Sequence, residues 1–167
     1  MADASLRSRR LHHFTGFTAV STLILIAAGG HVTSTGSGLS VPDWPLSYGM
    51  WMPPMVGGIF YEHGHRMIAS TVGFLTVLLA IWTWRVENRS WVKRLSGIAL
   101  AAVIAQGLLG GLTVIYLLPT SVSVSHACLA QTYFSLVVTI WLVTSGWWSS
   151  TEPVLIDDRP VSTRWLA

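Results

Sequence analysis

Four long apolar runs, at about 13–33, 61–84, 96–118 and 124–148, constrain this 167-residue chain more than any other feature. Each is close to the roughly 20 residues that an α-helix needs to cross about 30 Å of hydrocarbon. Only 10% of residues are charged and 51% are hydrophobic, too apolar for an ordinary soluble domain. In lipid a chain must satisfy its own backbone polar groups, so runs of this length become helices. The expected fold is all-α: a polytopic membrane protein, with one four-transmembrane-helix bundle in residues 1–150. An ordered outer loop and a cytoplasmic tail over 151–167 complete it.

The charge distribution orients the bundle. Arg7, Arg9 and Arg10 precede the first run, Arg85, Arg89, Lys93 and Arg94 lie around the connection between the second and third, and Arg159 and Arg164 are in the tail. Residues 34–60 and 119–123 contain no Lys or Arg. The positive-inside rule therefore places both termini and the middle connection in the cytoplasm, and an even number of helices agrees. The net charge of +3 does not point to nucleic acid, because the basic residues are not interleaved with exposed aromatics. The first run is long for a signal peptide and ends in Gly29-Gly30-His31 without an A-x-A site, so a retained span is expected. A single cysteine, Cys128, excludes an intramolecular disulfide; inside the fourth run it is expected to be a small packing residue.

The 34–60 connection cannot be a regular helix, since Pro42, Pro45, Pro53 and Pro54 remove donors and fix φ. Gly36 and Gly38 allow tight or left-handed turns. Trp44, Met50, Trp51, Met52 and Met55 make it too apolar for a free linker. An ordered cap on the bundle is expected, with an aromatic interfacial anchor as the alternative; Asp43 is expected to cap or anchor the loop. Gly107 and Gly111 have the small-xxx-small spacing of close helix approach, which could also leave room for a flat macrocycle. Gly29 and Gly30 are expected to end helix one, and Trp141, Trp147 and Trp148 to mark the inner interface of helix four.

Chemistry concentrates at the outer mouth of the second run, in Glu62, His65 and Arg66. Their i,i+3 and i,i+4 spacing puts them on one helix face. Ionisable groups in lipid cost on the order of 2.5–3.5 kcal/mol on insertion scales, which favours a functional role. His126, near the start of the fourth run, falls at a similar depth by rise per residue. In an up-down bundle helices two and four are diagonal, which suits axial ligation of one haem iron by two histidines. His63 points about 160° away from His65, and His31 is expected at the outer end of helix one. Two competing readings remain: a solvated Glu62–Arg66 ion pair, and a zinc site using Glu62 and two histidines. The latter lacks both H-E-x-x-H and a cysteine cluster.

At these residues the chain resembles the haem A synthase family. The matching blocks are Gly29-Gly30-x-Val32, Thr35-Gly36-Ser37-Gly38-Leu39-Ser40-x-Pro42-Asp43-Trp44-Pro45, Glu62-x-x-His65-Arg66, Gln106-Gly107-x-x-Gly110-Gly111-x-Thr113-Val114 and His126-Ala127-x-x-Ala130. They occur in family order over about residues 15–145. The resemblance implies oxidation of the C8 methyl of haem O to the formyl group of haem A, for terminal oxidases. It implies His65 and His126 as axial haem ligands and Glu62 as the catalytic carboxylate. Arg66 would hold Glu62 ionised or contact a propionate. Trp44, Asp43 and Gln106 are further implied haem contacts, and Gly36 and Gly38 implied turn residues.

Two departures stand out. Val41 occupies the place where many members carry one of two loop cysteines, so a loop thiol relay is absent. Family members also have eight helices in two related halves, one for substrate and one for a haem b cofactor. This chain resembles the N-terminal, substrate-binding half. The expected partners are haem O, the lipid bilayer, and either a second copy of this chain or a separately encoded second half. Truncation of a longer protein is the third reading, because residues 159–167 resemble the lead-in to a fifth helix. A bis-His electron-transfer or haem-delivery protein is the alternative function; it would need neither Glu62 nor the Trp44 loop.

Overall fold

In the computed structural model, which describes residues 2–150 and the side chains of 8–148, the chain is an all-α membrane bundle. The helices are α1 (Ala2–Ser34), α2 (Gly58–Val86), α3 (Ser90–Ile115), α4 (Thr120–Val143) and the short α5 (Gly146–Ser150). The first four contain segments long and apolar enough to cross a membrane. Tail residues 151–167, with Arg159 and Arg164, lie outside the described residues.

The helix limits differ from the apolar runs for physical reasons. Helices α1 and α3 begin well before their apolar segments, so Arg9, Arg10, Lys93 and Arg94 are helical rather than connecting residues. Basic side chains are favourable in a helix that projects past hydrocarbon into the interface. The connection between α2 and α3 shrinks to Glu87-Asn88-Arg89. There the Arg89 guanidinium bonds Glu87 and holds its carboxyl below the usual carboxylate range. Helix α2 starts early because Gly57, at φ 52, turns the chain, and the amides of Ile59 and Phe60 bond Val56 and Gly57. Helix α4 stops at Val143. The Thr144 hydroxyl bonds the Ile140 and Trp141 carbonyls, and Ser145 Oγ accepts from Trp148 N–H to open α5. Trp147 and Trp148 are thus in α5, not α4. Trp141 stacks on His12 and covers Gly16.

Gly29 and Gly30 do not end α1, which continues to Ser34. Its stop is a Schellman motif: Ser37 N–H bonds Val32 O, Gly36 N–H bonds Thr33 O, and Gly36 takes φ 64. Gly38 has no positive φ and packs near Leu118 and Val32. Helix α3 ends in the same motif, with Leu118 N–H on Thr113 O and Leu117 N–H on Val114 O. There the left-handed position is Leu117, at φ 57.

The likeness between α1 and α3 extends along their length. Buried Leu11, Thr15 and Thr18 correspond to buried Val92, Ser96 and Ala99, always 81 positions apart (92 less 11). The same offset pairs Gly29-Gly30 with Gly110-Gly111, and Gly36 with Leu117. Between α2 and α4 the offset is 61 (126 less 65). It pairs His65 with His126, Val72 with Tyr133, Thr76 with Val137, Leu79 with Ile140 and Thr83 with Thr144, and the last four pairs are all buried. The two hairpins α1–α2 and α3–α4 therefore share one pattern of buried positions. Each helix packs on its two neighbours in the ring, α1 closing onto α4, and α2 lies diagonal to α4. The core at mid-bundle takes Ala19, Val72, Ala99, Tyr133, Val137 and Ile140 from all four helices. The Tyr133 hydroxyl bonds Thr76 there. Cys128 is exposed on the outside of the bundle rather than packed within it.

Candidate functional site

Above that core the packing changes. Buried residues stop at Thr22, Val72, Ala99 and Tyr133 on the four helices; they resume toward the cap at Val32, His63 and Gly111 on the first three, and not on α4. In the intervening band stand His65 and His126. His65 is seven residues past Gly58 and His126 six past Thr120, a depth of roughly 10 Å at about 1.5 Å per residue. Each ring lies on a glycine of the preceding helix. A Cβ at Gly29 would stand 3.0 Å from His65 Cε1, and one at Gly110 would stand 3.3 Å from His126 Cε1. These glycines seat the imidazoles. Gly107 meets nothing within 4 Å, so Gly107 and Gly111 do not act together as a helix-contact pair.

Both imidazoles have a buried Nδ1 without a hydrogen-bond partner, and so does Gln106 Oε1. Buried polar atoms are normally satisfied, so such a group on facing helices leaves polar atoms free for a ligand or water. Gln106 Nε2 donates to the His126 carbonyl at 2.8 Å, tying α3 to α4 beside the ring. Two imidazoles from diagonal helices, with glycines giving room beside them, fit a haem. They do not fit zinc: among the described residues no three His, Cys, Asp or Glu side chains come together.

Glu62 and Arg66 face the loop. Glu62 is 4% exposed; its Oε2 accepts Val41 N–H at 2.8 Å and its Oε1 meets Arg66 Nη2 at 2.6 Å. The pair is therefore buried, not a solvated surface pair. Arg66 Nη1 donates to the carbonyls of Asp43 (2.8 Å) and Leu46 (3.0 Å), and Nη2 also reaches Val41 O at 3.2 Å. A planar guanidinium with several fixed donors suits such a multiple grip. The loop is thereby an ordered cap. Asp43 anchors it internally, accepting Tyr48 N–H at 2.6 Å and Gly49 N–H at 2.8 Å. The Gly49 amide, more than any other influence, draws the Asp43 carboxyl below its usual range.

A family profile for cytochrome oxidase assembly proteins (COX15-CtaA) matches residues 12–59 and 57–166, nearly the whole chain. The chain belongs to this family. Curated relatives named haem A synthase agree. The protein from Alkalihalophilus pseudofirmus is 36% identical over 65% of this chain and 37% of its own length. That from Geobacillus kaustophilus is 32% identical over 65% and 35%, and that from an Exiguobacterium species is 31% identical over 80% and 46%. The chain thus spans less than half the length of these relatives. No solved structure matches it.

In this chain the residues singled out from sequence fall into two groups. His65, His126 and Gln106 converge on the loosely packed band. Glu62, Arg66, Asp43, Trp44 and Gly36 build the cap and its attachment. Trp44 lies on α3, where a Cβ at Gly111 would come within 2.7 Å of its indole. Sequence reasoning set His63 aside, yet it is buried and its Nδ1 is 2.8 Å from Ser47 Oγ, a second attachment of the cap. Its position two residues from His65 gave no signal of this. Gly58 was also missed: it is so close to Ser40 that any side chain there would collide with the loop. The signal for seating the histidines was present, as the repeated Gly-Gly of Gly29-Gly30 and Gly110-Gly111. His31 is exposed against Tyr61.

Proposed function

We propose that this chain is the haem O-binding unit of a haem A synthase, an oxidoreductase that takes the C8 methyl of haem O to the formyl group of haem A. The observation that carries this reading is the pair His65 and His126, seated alike on Gly29 and Gly110, each with an unpartnered Nδ1. In this proposal the two histidines are axial ligands to the iron of the substrate, and Gln106 fixes the α4 backbone beside one of them. Trp44, Asp43 and Arg66 position the cap over the macrocycle and limit water access. Water supplies the formyl oxygen, and the released electrons pass to an acceptor outside this chain. Each methyl releases four electrons and four protons on this route; a haem b in a second four-helix unit, whether in another copy of the chain or in a separately encoded half, is the one-electron relay we assign, passing them to a terminal acceptor beyond it. The basic end, with Arg9, Arg10, Arg85 and Lys93, faces the cytoplasm and the cap faces outward.

Glu62 is the proposed catalytic carboxylate. It lies one turn from His65, and a fixed negative charge there stabilises the positive charge that develops as the methyl carbon is oxidised. Its two hydrogen bonds favour a second role, pinning the cap. Glu62→Gln separates them, because the amide oxygen still accepts Val41 N–H. Haem bound but unconverted supports catalysis by Glu62; undiminished conversion leaves it a pin.

The defining experiment is purification in detergent from a haem O-producing host, with extraction and chromatography of the bound haems. Haem O or haem A supports the synthase. Haem B alone supports the bis-His carrier, and no haem at all eliminates both.

A further inference from the structure

We infer that the outward face of α4 is a seam for a second copy of this chain, with Gln131 paired across it with the same residue of its partner. Gln131 lies 11 residues past Thr120 and 12 before Val143 (131 less 120, 143 less 131), in the middle of α4. At about 1.5 Å per residue it is roughly 16 Å from the outer end of the helix, near the midplane of about 30 Å of hydrocarbon. It stands two residues from buried Tyr133, about 160° round the helix from the core, and is exposed. Its backbone carbonyl accepts the Ser135 hydroxyl, but its carboxamide makes no hydrogen bond among the described residues. The hydroxyls on the same side of α4 are satisfied: those of Ser125, Thr132, Ser135 and Thr139 each bond a carbonyl one turn back. At similar depth the other helices turn Val20, Leu23, Phe74, Val77, Ile98 and Ile104 outward. Hydrocarbon offers no donor or acceptor, so an unpaired amide there is costly, and membrane helices satisfy such side chains by bonding across to another helix.

The occupant follows from depth and from the chemistry of the amide. Two copies inserted in the same orientation, related by a twofold axis along the membrane normal, place every residue level with its counterpart. Gln131 near that axis therefore meets its own kind, and no other partner brings a matching group to that level by necessity. A carboxamide is both donor and acceptor, so two of them about a twofold form a reciprocal pair of N–H···O bonds. The rest of the face suits a like helix. Val124, Cys128, Gln131, Ser135, Thr139 and Leu142 are all exposed and average 3.6 residues apart (18 over five steps), so they run straight along α4. The small side chains of Cys128, Ser135 and Thr139 flank the amide and permit close approach of two backbones. His126, five residues before Gln131, is turned about 140° away from it. The seam therefore leaves the histidine site of each copy free and sets the two sites back to back, and it does not depend on what the histidines hold.

The test measures the mass of the full chain by light scattering as detergent is added, with oxidative cross-linking in membranes beside it. The wild type is expected to be a dimer that dissociates on dilution into detergent. Gln131→Leu is expected to weaken the dimer about tenfold, or about 1.4 kcal/mol, the scale of two interhelical hydrogen bonds in lipid. Gln131→Asn keeps an amide at that level and is expected to keep the dimer. Both substitutions lie outside the bundle core, so helix content by circular dichroism is expected to match the wild type, which separates lost pairing from lost folding. Cys128, the chain's single cysteine, reports on the same face. An oxidant is expected to link two copies through it, and not through Ile104→Cys on α3 in a Cys128→Ser background. A wild type that is monomeric at every detergent level, or Gln131→Leu associating as tightly as the wild type, overturns the seam. Cys128 linked to a different protein in place of a second copy, or Ile104→Cys linking as readily, overturns it too.

Discussion

Arg66 Nη2 lies 2.6 Å from Glu62 Oε1, one helical turn away on α2, and the same guanidinium holds three carbonyls of the cap. Breaking a buried ion pair from one side strands a charge and costs about 3–5 kcal/mol. Arg66→Ala is expected to lose about 3 kcal/mol and to expose the 41–50 segment. Thermal unfolding in detergent and limited proteolysis of the cap measure both effects. A neutral double variant, Glu62→Gln with Arg66→Met, recovers part of the stability because no charge is left unpaired.

His65 and His126 occupy equivalent places, so their loss is expected to have equivalent effects. If they hold haem iron as proposed, His65→Ala and His126→Ala are each expected to convert a six-coordinate, low-spin haem spectrum to a high-spin one. Partners one step removed from a metal change affinity by about 10–100-fold, so loss of a ligand itself costs at least about 100-fold. Spectral titration reads this; an unchanged low-spin spectrum in either variant removes that residue as a ligand.

Gly111 and Gly107 are both glycines of α3 but answer to different neighbours. Gly111→Ala places a Cβ 2.7 Å from the Trp44 indole, and such overpacking costs about 1–3 kcal/mol. Gly107→Ala meets nothing within 4 Å and is expected to stabilise the helix by up to about 1 kcal/mol. Melting temperatures in detergent distinguish the two.

Leu117 holds the left-handed position that Gly36 fills at the end of α1. A left-handed L-residue costs roughly 1–2 kcal/mol, partly offset by the greater chain entropy of glycine. Leu117→Gly is therefore expected to raise stability by about 0.5–1 kcal/mol, and Gly36→Leu to lower it. Unfolding measurements on both variants check the sign.

Asp43 accepts two amides of its own loop, and these hold its carboxyl below the usual carboxylate range in the folded chain. A depressed folded pKa contributes stability that is fully present above the unfolded pKa and lost as pH falls through the folded value. The Tyr48–Gly49 turn is expected to stay closed from pH 7 down to about 4 and to open below that. Amide protection at Tyr48 and Gly49, corrected for intrinsic exchange, follows it. Asp43→Asn should lose protection at neutral pH and remove the pH dependence.

Much of this was legible in the chain. Apolar run lengths gave four spans, and the blocks around Glu62-x-x-His65-Arg66 and His126 gave the candidate site residues. Helix limits were less legible, because hydropathy reports the hydrocarbon span and not the polar turns beyond it; Arg9, Arg10, Lys93 and Arg94 are the examples. The internal repeat was hidden by unequal connections. Residues 35–57 join the first pair of helices and 116–119 the second, so the offset drops from 81 to 61 and no single shift aligns both.

Sequence by itself determined the class of fold and the depth of His65 and His126, which follow from local composition and spacing, and the family, which follows from its matching blocks. Only the tertiary structure decided what these residues touch. It turned Glu62 and Arg66 toward the cap, brought His63 to Ser47, laid Trp44 on Gly111, and showed that Val72 and Tyr133 are counterparts with unequal bulk. The reason is physical. Span length is a property of one helix and its solvent, whereas a seat, a seam or a buried ion pair exists only where two helices or a loop and a helix meet.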